Sequence, residues 1–343
     1  MMKQIWKRWR PWHKAAFVLL GSLLIAGAAG GITVWNALKE TAGSMYEPLP
    51  SRERPSFPAS AAVNSGRTVS PKPSAGTDAG RSQAPLPVHD GGMPDLSAQD
   101  PFTLLIIGVD EREGDRGRAD TLAFVTVQPK RGAASILSIP RDTRTRIEGT
   151  DTVDKINHAY AFGGVPMIAA TVEQLLQAPV HYYVKTNMEG FTAIIDELDG
   201  VDVANAFAFD SDGAVFQQGD IHLSGSDALK YVRMRKQDPD GDFGRMDRQR
   251  QVLQALLHKA GRLSAAASWS TLLDHVKKDV RTNIRFEDWS DLWLHYRPEI
   301  DNVEHDTLQG QGAKIGGIYY LLVDEREKQR VRQNIYKNLD DTS

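Results

Sequence analysis

The sequence predicts an α/β fold: a layered α/β/α domain with a central mixed sheet flanked by helices, preceded by a single transmembrane helix. Three observations carry this. They are an uncharged apolar run at residues 15–35, a proline-rich stretch reaching residue 100, and apolar segments of strand length interleaved with helical periodicity from residue 102 onward.

The first element is Ala15 to Trp35, AAFVLLGSLLIAGAAGGITVW, 21 residues without a charge. As a helix it reaches roughly 32 Å, enough to cross a bilayer. Lys3, Lys7, Arg8, Arg10 and Lys14 precede it, so the positive-inside rule keeps residues 1–14 in the cytoplasm and places the rest of the chain outside it. Trp6, Trp9, Trp12 and Trp35 stand where interfacial aromatics collect. A cleaved signal peptide is the rival, with Ala26-Gly27-Ala28 as its cleavage site. The apolar run continues past that site through Ile32, Val34 and Trp35, longer than a signal core of about 7 to 15 residues, which favours an uncleaved single-pass anchor in the cell membrane.

Residues 36–100 are expected to form an extracytoplasmic linker. Nine of the 17 prolines fall between Pro48 and Pro94, a density that no helix or central strand sustains, and Ser, Ala and Gly fill much of the rest. Length alone suggests about two domains. The composition instead resolves the 343 residues into an anchor, a spacer and one domain at 101–343.

Within that domain, Phe102 to Val109 (FTLLIIGV) reads as a buried strand, because its apolar run is continuous and rich in branched residues. Thr121 to Val127 and Ala134 to Ile139 are two more, joined by Gln128-Pro129-Lys130-Arg131-Gly132, a turn of hairpin composition. Gly164 to Leu176 carries Met167, Ile168, Val172, Leu175 and Leu176 at helical spacing, with Pro166 suited to a first turn. His181 to Lys185 reads as a strand, Gly190 to Leu198 as a helix, and Val201 to Ala206 as a strand after Gly200. Ser224 to Arg233 and Arg245 to Leu263 are predicted helices. A tail from Trp269 to Leu339 adds helices around the apolar run Ile318 to Val323.

Charge and composition narrow the chemistry. With 41 Lys plus Arg against 44 Asp plus Glu, the net charge of −3 offers no global field for nucleic acid, so an anion site must come from local clustering. The absence of cysteine excludes disulfides, thiolate metal sites and a cysteine nucleophile. No H-x-x-x-H pair on a helix, G-x-S-x-G elbow or Walker-type loop occurs. His158 and His181 follow apolar segments and are expected to be structural.

Three charged clusters remain. Asp110 to Asp120 (DEREGDRGRAD) directly follows the first strand, a favoured ligand position in α/β folds. Asp110 and Asp120 can offer oxygens to a hard cation such as Mg2+; the alternative is surface pairing with Arg112, Arg116 and Arg118. Ile139-Pro140-Arg141-Asp142 ends another strand, where an arginine can grip phosphate in bidentate fashion, and Lys155 is a candidate on the same grounds. A surface ion pair is the alternative there. The third cluster is Tyr231 to Arg250. Arg233 and Arg235 share one face if extended, while Arg245, Arg248 and Gln249 have helical spacing; a solvated face is the alternative.

Taken in order, LLIIGVDER, Arg118-Ala119-Asp120, SIPRD at Ser138, DKINHAYAFGG at Asp154, TVEQLL at Thr171, DELDGVDV at Asp196 and ALKYVRMRKQDPDGDFGRMDRQRQV at Ala228 resemble the LytR-CpsA-Psr (LCP) family of cell-wall glycopolymer transferases. The resemblance implies an LCP-like fold and a Mg2+-dependent phosphotransferase. Such an enzyme moves an anionic glycopolymer, teichoic-acid-like or capsule-like, from a polyprenyl pyrophosphate carrier to a peptidoglycan hydroxyl through a phosphodiester. Carried over by residue, Asp110 and Asp120 match the metal-associated acids, and Arg118, Arg141, Arg233, Arg235, Arg245 and Gln249 match the pyrophosphate contacts, joined by Lys155 and Arg248. Either Asp120 or Asp142 is expected to accept the proton of the attacking hydroxyl. The polyprenyl tail is expected between the sheet and the helices at Val165 to Leu176 and Gly190 to Leu198. Two positions depart from the family pattern: Ala119, where serine is usual, and Asp199, where many members have glycine. The competing functions are a non-catalytic receptor for polyprenyl phosphates or wall polymer, and an envelope-linked transcriptional regulator. A domain held beyond the membrane cannot reach DNA, which disfavours the second.

Overall fold

The computed structural model describes residues 35–36, 39–50, 92–111, 116–235, 237–261, 277–295 and 302–340. The predicted span at 15–35 lies outside these apart from Trp35, and no described helix is long and apolar enough to cross a membrane.

The domain opens with β1 (Phe102–Val109), β2 (Ala119–Gln128) and β3 (Ala133–Ser138), an antiparallel meander within a residue or two of expectation. Gly132, at φ 57°, closes the β2–β3 turn by donating its N–H to Pro129, a left-handed conformation that suits glycine. Two short strands, β4 (Arg144–Arg146) and β5 (Val153–Lys155), follow as a small hairpin. Neither was expected, because RTR and VDK carry no apolar alternation.

Helix α1 (His158–Leu176) starts six residues before its predicted beginning and contains a break at Gly164, where φ 65° and ψ −154° leave the helical region. The expected helix is the part after that break. Its Val165, Ile168, Val172, Leu175 and Leu176 belong to the same buried cluster as Leu105, Ile107 and Phe124. Strand β6 (Tyr182–Thr186) and helix α2 (Met188–Glu197) follow, the latter capped by the Asn187 side chain accepting from the Gly190 N–H.

Next come β7 (Val201–Asn205), β8 (Phe209–Ser211), β9 (Ala214–Phe216) and β10 (Gly219–Leu223), then helices α3 (Gly225–Arg233) and α4 (Asp242–Gly261). These build a second core in which Phe209, Phe216 and Tyr231 rings pack with centroids 5.0 to 5.6 Å apart. After β11 (Val280–Thr282) and α5 (Phe286–His295), β12 (Asn302–Thr307) pairs in parallel with β3. The apolar run at Ile318 belongs to a strand, not a helix. It forms β14 (Ile318–Leu322), hairpinned to β13 (Gln311–Ile315), and α6 (Glu325–Leu339) closes the chain.

The central sheet has the order β11-β6-β1-β2-β3-β12. β6 runs parallel to β1, and β2 antiparallel, so the end of β1, the start of β2, the end of β3 and the end of β6 share one edge of the sheet. Helices α1 and α6 cover one face, while Leu253 of α4 packs against the cluster of Ala123, Val125, Ala134 and Ile136 on the other.

Both described ends of the predicted linker are part of this domain. Residues 39–45 are helical, with Thr41, Ala42 and Met45 buried. Tyr46 bridges Thr282, the Glu47 N–H donates to the Thr282 carbonyl at 2.8 Å, and the Tyr183 hydroxyl donates to the Glu47 carbonyl at 2.8 Å. At the other end, Leu96 is buried among Phe102, Tyr182 and Ile284. The linker prediction of 36–100 was therefore too long, because proline content hid the apolar Ala42, Met45 and Leu96 that anchor its flanks.

Candidate functional site

The shared strand edge holds a cavity of about 400 Å3 lined by Asp110, Gly117, Arg118, Asp120, Arg141, Asp142, Lys155, Asn157, His158 and Ala161. Its walls follow from the fold. Asp110 leaves β1 and its N–H donates to the Arg118 carbonyl at 3.1 Å. Gly117 sits at φ 67° so close to Asp110 that an added Cβ would lie 1.8 Å from the Asp110 carbonyl oxygen. This pinch turns Arg118 and Asp120 back toward Asp110.

Arg141 and Asp142 follow Pro140, in a loop braced from two sides. The Leu321 N–H of β14 donates to the Asp142 carbonyl at 2.9 Å, and the Asn157 N–H to the Arg141 carbonyl at 3.3 Å. Arg141 Nη1 lies 2.8 Å from Asp120 Oδ1, and Lys155 Nζ 2.6 Å from Asp142 Oδ1. Burial works against the Arg141 charge, yet Asp120, Asp242 and Asp142 together raise its pKa above the ordinary value. The Arg141 Nε is buried without a hydrogen-bond acceptor among the described residues, its distance of 3.9 Å to Asp142 being too long.

The third cluster reaches this site through space. Arg245, 6% exposed, lies 3.1 Å from Asp242 and also carries a buried Nε without an acceptor among the described residues. Burial lowers its pKa, Asp242 opposes this, and Arg141 lowers it further, a coupling that places the two guanidiniums in one field. Arg235 stands 3.9 Å from Asp242. Arg233 is exposed at the last turn of α3, not in an extended segment, and Gln249 lies one turn beyond Arg245 on α4.

Arg248 contradicts its assignment as a phosphate contact. It is 4% exposed, donates from Nε to the Tyr231 carbonyl, from Nη2 to the Met234 carbonyl and from Nη1 to Asp238, and lies over the Phe209 and Tyr231 rings. Each of its three nitrogens donates inside the protein, so Arg248 fixes the 231–238 segment.

Three residues at the site escaped the sequence. Asp242 has the signal of its i,i+3 spacing to Arg245. Asn157, 4% exposed, lines the cavity with a buried Oδ1 that has no donor among the described residues. His158 lines it as well, its Nδ1 2.7 Å from Asp154 Oδ2, which corrects the purely structural reading. His181 keeps that reading, with Nδ1 accepting the buried Thr103 N–H at 3.0 Å.

Arginines and a lysine interleaved with carboxylates at the strand ends of an α/β sheet define an anion-binding protein of the phosphoryl-handling class. Residues 67–337 match the LytR_cpsA_psr family model, and the chain belongs to that family. It is 46% identical over 245 residues, 71% of this chain and 80% of the relative, to the polyisoprenyl-teichoic acid–peptidoglycan teichoic acid transferase TagU of Bacillus subtilis (strain 168). The protein of the same name from Halalkalibacterium halodurans is 40% identical over 325 residues, covering 94% of this chain and 96% of that one. The crystal structure of B. subtilis TagU superimposes with a TM-score of 0.59 at 43% identity, over 71% of this chain and 99% of that chain.

Proposed function

We propose that the protein transfers a teichoic-acid-like glycopolymer from a polyprenyl pyrophosphate carrier to a peptidoglycan hydroxyl, forming a phosphodiester. The observation that carries this reading is the gathering of Arg118, Arg141 and Lys155 with Asp110, Asp120 and Asp142 around one cavity, with the buried Arg245 in the field of Arg141. Fixed guanidiniums and an ammonium around one cavity suit phosphate oxygens. The TagU relatives, named for this transfer, supply the substrate class.

Asp120 holds Arg141 through its Nη1 at the cavity wall. Arg118, Lys155 and Arg245 add positive charge where a pyrophosphate gains negative charge during transfer, so catalysis is mainly positioning and neutralisation. Asp110 and Asp120 line the same cavity, and two carboxylates beside phosphate-binding cations form the donor set that Mg2+ uses when substrate oxygens complete its shell. No group of three or more His, Asp or Glu among the described residues is placed to hold a metal ion by itself. When bound, the ion supplies further neutralisation of phosphate charge. A membrane anchor at 15–35 keeps the domain beside its lipid-linked donor.

The test uses the full chain in detergent with Mg2+, a synthetic polyprenyl pyrophosphate glycan and a peptidoglycan oligomer. Polymer joined to the oligomer is the expected product, and Arg141→Ala is expected to lower transfer about a hundredfold or more while the circular dichroism spectrum is kept. Lipid bound without transfer would instead identify a receptor, and full activity in Arg141→Ala would refute this site.

A further inference from the structure

The reaction needs a group to take the proton of the attacking hydroxyl, and the two carboxylates closest to Arg141 are poorly placed for it. Asp120 is paired to Arg141 at 2.8 Å and Asp142 to Lys155 at 2.6 Å, so each already shares its lone pairs with a cation. His158 is differently placed. Asp154 Oδ2 receives its Nδ1, while Asp154 Oδ1 receives the Lys155 N–H at 2.8 Å and the Tyr320 hydroxyl at 3.2 Å. Burial would raise the pKa of that carboxyl, but the hydrogen bonds from His158, Lys155 and Tyr320 hold it below the ordinary carboxylate value. An ionised, three-way anchored Asp154 fixes the imidazole with Nδ1–H as donor, which leaves the Nε2 lone pair as its acceptor. The ring lines the cavity.

One helical turn on, Phe162 is 50% exposed, with its ring 6.0 Å from the imidazole. Its carbonyl accepts from Arg116 at 3.3 Å, which ties the turn to the loop after β1. An exposed phenylalanine alone means little. Here it lies beside an oriented imidazole that lines the anion cavity, and an aromatic face is what the apolar face of a sugar ring packs against.

We propose that the first turn of α1 is the acceptor subsite: Phe162 carries the acceptor sugar and His158 Nε2 takes the proton of its attacking hydroxyl. This rests on the transfer reading above. As the hydroxyl oxygen bonds to the phosphorus that carries the polymer, the bond from that phosphorus to the bridging oxygen breaks. Polyprenyl phosphate leaves with those electrons, and the proton passes from Nε2 to solvent afterwards.

Two measurements on the full chain test it separately from the reaction class. First, binding of a lipid-free synthetic peptidoglycan disaccharide-peptide is measured by calorimetry without donor. Phe162→Ala is expected to weaken it about tenfold and Phe162→Trp to restore it, with binding of a synthetic polyprenyl pyrophosphate unchanged. Second, in steady-state transfer, His158→Ala is expected to lower kcat by about 10²–10⁴ at unchanged KM for both substrates, with partial rescue by added imidazole. Disaccharide-peptide binding indifferent to Phe162→Ala, or kcat indifferent to His158→Ala, overturns the subsite. A wild-type chain that binds the disaccharide-peptide through Phe162 but transfers nothing would overturn the proton-transfer role and the function reading, leaving only a sugar-binding platform.

Discussion

Arg245 and Arg248 lie three residues apart on one helix and meet different fates. Spacing made both candidates for phosphate, but only burial with full internal hydrogen bonding separates them, and that depends on where Tyr231, Met234 and Asp238 fold. Arg248→Ala leaves the Asp238 carboxylate, 2% exposed, without its cation. The expected cost is about 3–5 kcal/mol, read as a lower urea midpoint. The strand-end residues Asp110, Asp120, Arg141 and Asp142 were legible because charge follows directly on apolar runs. His158 was not, since a histidine after an apolar segment looks alike in a core and in a cavity. The Asp154 to His158 spacing of four was its one available signal.

At the scale of elements, β1 to β3, α2 and α3 were visible in their patterns, whereas β12 was not. NVEHDT has a single aliphatic residue and pairs with β3 through its backbone. Inside it, His305 has two buried ring nitrogens without partners among the described residues, and burial, reinforced by Arg250, lowers its pKa. The unfolded chain therefore binds a proton more readily than the folded one, and stability falls as pH drops from about 6.5 toward the lower folded value. His305→Leu is expected to lose less melting temperature than wild type between about pH 8 and pH 5. Equal losses would refute it. The α2–β7 turn explains the departure at Asp199, which adopts φ 57° immediately before Gly200 at φ 72°. Glycine takes that conformation with less strain, so Asp199→Gly is expected to stabilise the fold by about 0.5–1 kcal/mol in denaturant titration.

For the whole molecule, the mixed sheet with flanking helices followed from interleaved periodicities, but the meeting of residues 233–249 with 110–142 did not. It requires β7 to β10 to turn α3 and α4 toward the strand ends, and those short strands carry little pattern. The net charge of −3 conceals the same fact, because opposite charges far apart in the chain are neighbours in the cavity. The contacts of residues 39–50 have a different consequence. Because Thr41, Ala42, Met45 and Glu47 hold to the domain on one side of the proline-rich stretch and Leu96 holds on the other, the covalent path between them is dispensable for their association. A protease site inserted between residues 51 and 91 and cut after folding should yield two fragments that elute together under native conditions and part only in denaturant. The amino-terminal piece would then behave as a subunit of the domain it precedes.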